Sequence, residues 1–263
     1  MVSESEALRN ISFFRTFHQN RPHATSAAFS NNYNADGENS YSIALTGTDQ
    51  LSKGFKVFDV GCGDGILVNA LIQKHGDDFS YTGFDICPSA FPQERNQNIQ
   101  FYECNNRFET DTNRYDYIVS HLSLPFIGAP EKILPKLIRI SNKNTIFSIT
   151  LGRGSSDGDS YSKFQSLVRN EMKTSTIAPP FTIDPVYLSD KELKSIFNSH
   201  GLEIISYRND ETQIGNPTEF MANTYDWPLL NDTFQRKLRE LTLGSLALPF
   251  GYKTLNILLK HYD

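Results

Sequence analysis

A glycine-rich segment between an apolar strand pattern and an apolar helix pattern constrains the fold of this chain more than any other feature. Residues 57–65 read Val-Phe-Asp-Val-Gly-Cys-Gly-Asp-Gly, and helical periodicity begins at Ile66. Three glycines at alternate positions let the backbone turn sharply and let a ligand touch the main chain. Because one glycine suffices for an ordinary strand–helix turn, the pattern indicates a ligand-binding loop.

Strand and helix patterns alternate along much of the chain. Apolar and β-branched runs predict strands at residues 55–60, 79–84, 99–104, 115–120, 145–151, 202–207 and 255–259. Helical patterns lie between most of them, which predicts a parallel sheet with right-handed crossovers. Pro135, inside the predicted helix 131–140, predicts a break or a kink there. Ser189 and Asn231 are predicted to cap later helices.

The residues around the loop narrow the class of ligand. A dinucleotide fingerprint would need its third glycine where Ile66 stands, and the Gly-Lys-Ser/Thr of a phosphate loop is absent. Asp59 precedes the first glycine by two residues, where a carboxylate repels a pyrophosphate and attracts an ammonium group such as that of S-adenosylmethionine. Asp85 ends the next predicted strand, so it can accept hydrogen bonds from ribose hydroxyls; the alternative is a helix cap or a surface charge.

These residues resemble the cofactor motifs of class I S-adenosylmethionine-dependent methyltransferases of the small-molecule type. The resemblance continues through residues 81–85, 99–105, 115–120 and 188–202. It implies an α/β, Rossmann-like, seven-stranded, mostly parallel sheet with an antiparallel last strand and helices on both faces. It also implies S-adenosyl-L-methionine as the cofactor.

The resemblance assigns expected roles around that cofactor. Gly61 and Gly63 would pass close to the methionine part, Asp59 would hold the amino group directly or through water, and Asp85 would hold the ribose. Asn105 stands where the family often has Asp, and its side chain can accept from the adenine amino group. Asn106 or Arg107 would supply a main-chain N–H, with a plain loop as the alternative. The full expected cofactor-binding set is Asp59, Gly61, Cys62, Gly63, Asp85, Ile86, Asn105, Asn106 and Ser120.

The loop after the fourth predicted strand usually faces the transferable methyl group in this family. Residues 120–126 read Ser-His-Leu-Ser-Leu-Pro-Phe and lack the Asn/Asp-Pro-Pro-Tyr/Phe of enzymes that methylate amino groups of adenine or glutamine. His121 is the candidate catalytic residue, because a neutral imidazole can take a proton from an attacking hydroxyl or amine. The alternative, which we favour, is that it only packs or hydrogen-bonds beside the cofactor.

The chain divides into an N-terminal helical lid at 1–52, a cofactor-binding core at 53–210, an insertion at 211–250 capping the substrate site, and the last core strand at 251–263. Phe29, Tyr33 and Tyr41 are expected to anchor a mobile lid. Tyr33, Tyr225 and Trp227 are the predicted substrate contacts; alternatively, the aromatic residues of the insertion pack its own core. His18 and His23 are expected to face solvent, with a role in the lid as the alternative.

Composition restricts the partners and the location. The net charge is −5, which disfavours nucleic acid as a partner. The 3 cysteines do not form a Cys-x-x-Cys motif, and no spacing of possible ligands suggests a metal site. No apolar run suggests a signal peptide or a membrane span. We therefore predict a cytoplasmic enzyme acting on a small-molecule methyl acceptor. A protein or RNA methyltransferase and a non-catalytic scaffold are the alternatives, and the oligomeric state stays open.

Overall fold

A seven-stranded sheet organises the structure, a computed structural model that describes residues 4–92, 97–103, 113–156, 159–177, 181, 183–242 and 250–262. The strands are β1 Phe55–Val60, β2 Phe79–Asp85, β3 Ile99–Glu103, β4 Tyr115–His121, β5 Ser141–Gly154, β6 Leu202–Gln213 and β7 Gly251–His261. Their order is β3-β2-β1-β4-β5-β7-β6, and β7 is antiparallel to both of its neighbours. The other neighbouring pairs are parallel, which confirms the predicted sheet.

Helices connect the strands. They are α1 Glu4–Asn20, α2 Ala24–Phe29, α3 Ser40–Ala44, α4 Ile66–His75, α5 Leu124–Ile127, α6 Pro130–Arg139, α7 Ser160–Thr174, α8 Asp190–Ser199, α9 Pro217–Ala222 and α10 Asp232–Thr242. The predicted caps are confirmed: Ser189 accepts a hydrogen bond from the Glu192 backbone N–H, and Asn231 accepts one from the Phe234 backbone N–H.

The two faces of the sheet carry separate apolar cores, because successive strand residues point to opposite faces. Val57 of β1 packs with α4 and α7 residues such as Leu71 and Phe164. Its neighbour Phe58 packs with α6 and α8 residues such as Leu134 and Phe197. Helices therefore cover both faces of the sheet, as predicted.

Two parts of the sequence-based assignment need correction. The break considered at Pro135 does not occur, because α6 is continuous. Pro135 has no N–H to donate to the Glu131 carbonyl, four residues earlier. Both residues lie on the exposed face of the helix, so water can hydrogen-bond to that carbonyl instead. Strand β6 continues to Gln213, three residues beyond the boundary at 210. Its polar end lacked an apolar alternation, yet it pairs with β7 along its whole length.

Part of the N-terminal region belongs to the packed core. The hydroxyls of Tyr117 and Ser148 both donate to the Ala44 carbonyl, the latter over 2.8 Å. A Cβ at Gly47 would lie 2.9 Å from the Tyr117 ring, so only glycine permits this close approach. The segment that joins α3 to β1 is thus fixed against the sheet.

An ion-pair cluster fastens the polar end of β6 to the loop before α3. The Arg208 guanidinium donates to Glu38 and, over 2.6 Å, to the Asp210 carboxylate. Asp210 is buried and also accepts from the Asn256 amide over 2.9 Å. The pKa of Glu38 is lowered by its hydrogen bond to Arg208. Arg208 therefore compensates a carboxylate that is largely removed from water.

We predict that Arg208→Met lowers the free energy of unfolding by about 1–2 kcal/mol, because it keeps the apolar stem but leaves Asp210 without its cation. Urea unfolding of the purified chain measures this. The control is Lys53→Met, since Lys53 pairs with Asp78 at the surface, with 86% of its side chain exposed, and should contribute little. Equal losses in the two variants would contradict the stabilising role of the cluster.

Candidate active site

The glycine loop between β1 and α4 has the conformation that its sequence requires. Gly61, Gly63 and Gly65 all have positive φ, at 79°, 53° and 77°. A Cβ at Gly61 would overlap the side chain of Ser123, whereas a Cβ at Gly63 would meet no atom within 4 Å. Gly61 is therefore needed for packing, while Gly63 borders open space. Both glycines line a cavity of about 220 Å³.

Asp85, at the end of β2, connects the loop to the sheet. One carboxylate oxygen accepts from the Gly63 backbone N–H over 2.9 Å, and the other accepts from the Cys87 backbone N–H over 2.9 Å. Burial raises the pKa of Asp85, and these hydrogen bonds oppose the increase. Asp85 and Ile86 line the cavity, and each carboxylate oxygen keeps acceptor capacity for a ligand hydroxyl.

Asp59 lies fully buried beneath the loop. Its Oδ2 accepts from the Tyr81 hydroxyl over 2.5 Å, while Oδ1 has no hydrogen-bond partner within the described ranges. Burial, opposed by the Tyr81 hydrogen bond and reinforced by the nearby Asp85, raises the pKa of Asp59 to about 7. An unpaired, desolvated carboxylate oxygen is costly unless a cationic group or a water meets it. The site therefore fits a ligand that carries a positive group.

His121 ends β4 and lies at the wall of the same cavity. Its Nε2 is 2.9 Å from the Ser40 hydroxyl, and its ring stacks on Tyr41 with centroids 4.2 Å apart. Burial lowers the pKa of His121 to about 3. This environment favours the neutral imidazole, and Ser40 and Tyr41 hold the ring from two sides.

Helix α1 contributes Ile11, Phe14 and His18 to the lining of the same cavity. Arg15 attaches the helix to the sheet, because its side chain donates to the Ile86 carbonyl over 3.1 Å and to Glu103 over 2.9 Å. The expectation that His18 faces solvent is therefore wrong: it is half-buried, and burial lowers its pKa.

The expectation for His23 is confirmed, since 73% of its side chain is exposed. Its Nδ1 nonetheless lies 2.8 Å from the carboxylate of Asp64 in the glycine loop. The Ser26 hydroxyl donates to the same Asp64 oxygen over 2.5 Å. The corner between α1 and α2 is thus joined to the loop.

A second cavity of about 280 Å³ adjoins the first. The two share Thr25, Leu122, Phe126 and Tyr225 as lining residues. The remaining wall contains six aromatic residues, Phe29, Tyr161, Phe181, Tyr187, Phe220 and Tyr252, and Arg153 and Asp226 supply its charges. The second cavity is thus separated from the glycine-loop cavity only by the residues that line both.

The structure brings together most, but not all, of the residues expected at the site. The first cavity is lined by Gly61, Cys62, Gly63, Asp85, Ile86, His121 and Tyr225. Asp59 and Ser120 lie directly behind it; the Ser120 hydroxyl is 2.7 Å from that of Ser123, the residue that packs on Gly61. Asn105 and Asn106, with Arg107, lie outside the described residues.

Two predicted substrate contacts lie elsewhere. Trp227 is 1% exposed and belongs to the apolar core, as the alternative for the insertion anticipated. Tyr33 is 47% exposed and forms an isolated backbone bridge with Gln213. Neither residue lines the two cavities. Phe14, Phe126 and Asp226 line them without having been predicted, since no local sequence pattern distinguishes them from core or surface residues.

Comparison with known proteins identifies the family. A family model described as a methyltransferase domain matches residues 51–201, more than half of the chain. No curated protein matches the chain. The chain belongs to this methyltransferase family, its cofactor is S-adenosylmethionine, and it is a methyltransferase enzyme. No helix in the described residues is long and apolar enough to cross a membrane.

Solved structures share the fold at low sequence identity. A putative methyltransferase from Bacillus halodurans C-125 has a TM-score of 0.56 at 11% identity, covering 85% of this chain and 99% of that one. A mycolic acid cyclopropane synthase, complexed with SAH and CTAB, has a TM-score of 0.54 at 13% identity, covering 83% and 82%. A putative methyltransferase in complex with the Haloferax volcanii Trm112 methyltransferase activator has a TM-score of 0.50 at 16% identity, covering 100% of both chains.

We predict that Asp59→Asn stabilises the folded chain at pH 8 but not at pH 4. Because the pKa of Asp59 rises from its ordinary value of 3.8 to about 7 on folding, its contribution to stability is complete below the ordinary value and is lost as the pH rises through about 7. Relief of the buried charge should raise the melting temperature by roughly 2–4 °C per kcal/mol at pH 8. Thermal melts at both pH values measure this, and an equal or larger gain at pH 4 would show that charge burial is not the cause.

Proposed function

We propose that this chain transfers a methyl group from S-adenosylmethionine to O, N or C of a small molecule held in the second cavity. S-adenosylmethionine supplies an electrophilic methyl carbon bound to a sulfonium. The observation that carries the proposal is the wall common to the two cavities, formed by Thr25, Leu122, Phe126 and Tyr225. An acceptor bound in the second cavity would lie next to the glycine-loop cavity, so the methyl group would not have to pass through bulk solvent.

The residues around the first cavity fit roles in holding the cofactor. Asp85 offers carboxylate lone pairs to ribose hydroxyls, and Gly63 leaves space for close approach to the main chain. The unpaired Oδ1 of Asp59 would compensate the cofactor's positive amino group through water, since Asp59 does not line the cavity itself. Asn105 and Asn106 remain candidates for the adenine end.

His121 is proposed as a positioning residue, not as a general base. A group whose pKa is lowered to about 3 is a weak proton acceptor near neutral pH. Its contacts with Ser40 and Tyr41 fix the wall beside Leu122, which faces both cavities. An SN2 transfer mainly needs an aligned nucleophile and exclusion of water, and a rigid apolar wall contributes to both.

Helix α1 is proposed as the lid of the site, which narrows the predicted lid at 1–52. The Phe14 ring lies 4.5 Å from the Phe126 ring and 5.0 Å from the Tyr225 ring, so aromatic contacts hold the helix against the first cavity and against two residues that line both cavities. Because β6 ends at Gln213, we propose a core at 53–213 in place of the predicted 53–210, a capping insertion at 214–250 in place of 211–250, and the last core strand at 251–263 as predicted.

The proposal specifies a small-molecule acceptor and a cytoplasmic location. A cavity of about 280 Å³ with aromatic residues in its wall supports a small acceptor more than a protein or an RNA, and a net charge of −5 gives RNA no general attraction. Cys62 and Cys87 are free thiols, consistent with a reducing compartment. Salt-dependent RNA binding by the purified chain would favour the RNA alternative instead.

We predict that Gly63→Val weakens S-adenosylhomocysteine binding at least about tenfold, because its side chain would occupy the space open to the ligand. Gly76→Val is the matched control: Gly76 also has positive φ, at 61°, and a Cβ added there would meet no atom within 4 Å, but it lies at the far end of α4. Isothermal titration calorimetry compares the two. Equal loss in both variants would attribute the effect to backbone strain, and unchanged binding in Gly63→Val would contradict the site assignment.

We also predict that the imidazole of His121 stays neutral between about pH 5 and pH 8, because the surrounding apolar and uncharged groups oppose protonation. Proton–carbon NMR of the imidazole ring measures this, with the resonance assigned by its loss in His121→Asn. A midpoint near the ordinary value of 6.5 would restore His121 as a candidate general base.

A further inference from the structure

The second cavity contains a compact group of aromatic rings. Phe29, Tyr161, Phe220 and Tyr252 all line it, with centroids 5.0 Å apart for Phe29 and Tyr252 and 5.4 Å apart for Tyr161 and Phe220. The Tyr161 and Tyr252 centroids are 5.6 Å apart. Aromatic faces carry negative electrostatic potential, so such a wall attracts a cation as well as an apolar group.

The cation of this cavity is already compensated. Arg153 donates through one terminal nitrogen to the Tyr187 carbonyl and through the other, over 3.0 Å, to the Asp190 carboxylate. Only 16% of its side chain is exposed. Arg153 is therefore engaged in supporting the wall, and its charge is largely neutralised before a ligand arrives.

The anion of the cavity is not compensated in the same way. Asp226 lies between Tyr225 and Trp227, and its side chain forms no hydrogen bond or ion pair with any residue in the described part of the chain. Arg169 acts on it only from a distance, and burial raises the pKa of Asp226. Burial, followed by the neighbouring Tyr252 and Asp226, raises the pKa of the Tyr161 hydroxyl, which places the carboxylate near the aromatic group.

We infer that the second cavity selects a cationic acceptor, an amine that is held by the carboxylate of Asp226 and by the faces of the aromatic rings. This inference rests on the proposed function and specifies its acceptor class. A bound ammonium first passes one proton through the Asp226 carboxylate to water, because only the neutral amine has a lone pair for the attack. Methylation then forms one N–C bond, breaks the S–C bond of the sulfonium and leaves the positive charge on nitrogen. The product formed from a primary or secondary amine can then lose a proton to water, whereas a tertiary amine acceptor becomes a quaternary ammonium. The aromatic walls and Asp226 stabilise that charge in every case.

Calorimetric titration of the full chain, saturated with S-adenosylhomocysteine, tests the inference with two matched pairs of probes. The pairs are choline with its neutral isostere 3,3-dimethylbutan-1-ol, and benzylamine with benzyl alcohol. In at least one pair the cation should bind about tenfold more tightly than its neutral partner. If neither cation binds more tightly than its partner, the inference is overturned, even though S-adenosylhomocysteine binds and the proposed function stands. Failure of S-adenosylhomocysteine to bind would overturn both.

Matched variants locate the preference. Asp226→Asn should remove most of the cation preference, while Glu240→Gln, the same charge change at an exposed position of α10, should leave it unchanged. Tyr252→Leu should reduce the preference and Tyr252→Phe should keep it, because the ring face is retained. A preference that survives both Asp226→Asn and Tyr252→Leu would show that the cation binds elsewhere, which also overturns the inference.

Discussion

The hydrogen bonds of the Asp85 carboxylate hold the site together. They join the Gly63 N–H of the loop after β1 to the Cys87 N–H after β2, so the ends of two neighbouring parallel strands share one anion. The glycine loop adopts positive φ at three positions because glycine has no Cβ, and the Asp85 hydrogen bonds fix the loop against the end of β2. The glycine-loop cavity forms where the carboxyl ends of the parallel strands meet at one edge of the sheet.

The remaining parts of the site are arranged around that edge. Helix α1 is attached to it by Arg15, and aromatic contacts continue from α1 through Phe126 and Tyr225 to the second cavity. Electrostatics differ between the two chambers. The first has carboxylates beneath and beside it, and the second has an aromatic wall with one uncompensated acid. Both are suited to ligands with a positive group in a desolvated setting.

The sequence predicted the strands, the sheet and the glycine loop well, because these depend on local periodicity and on backbone requirements that only glycine meets. It missed the polar end of β6, whose pairing depends on β7 and on the Arg208 cluster and not on its own apolar pattern. It also placed His18 in solvent and Trp227 in the site. Tertiary packing decides both positions: α1 folds back over the loop, and Trp227 turns into the core.

In the proposed function, the cofactor binds in the glycine-loop cavity and the acceptor binds in the second cavity. Leu122, Phe126 and Tyr225 line both cavities. A crystal structure of the chain with S-adenosylhomocysteine tests this arrangement most directly. We expect the ribose hydroxyls at Asp85 and the sulfur directed at these three residues, with the second cavity beyond them. A sulfur atom directed away from the second cavity, or a ligand bound outside the glycine loop, would contradict the account.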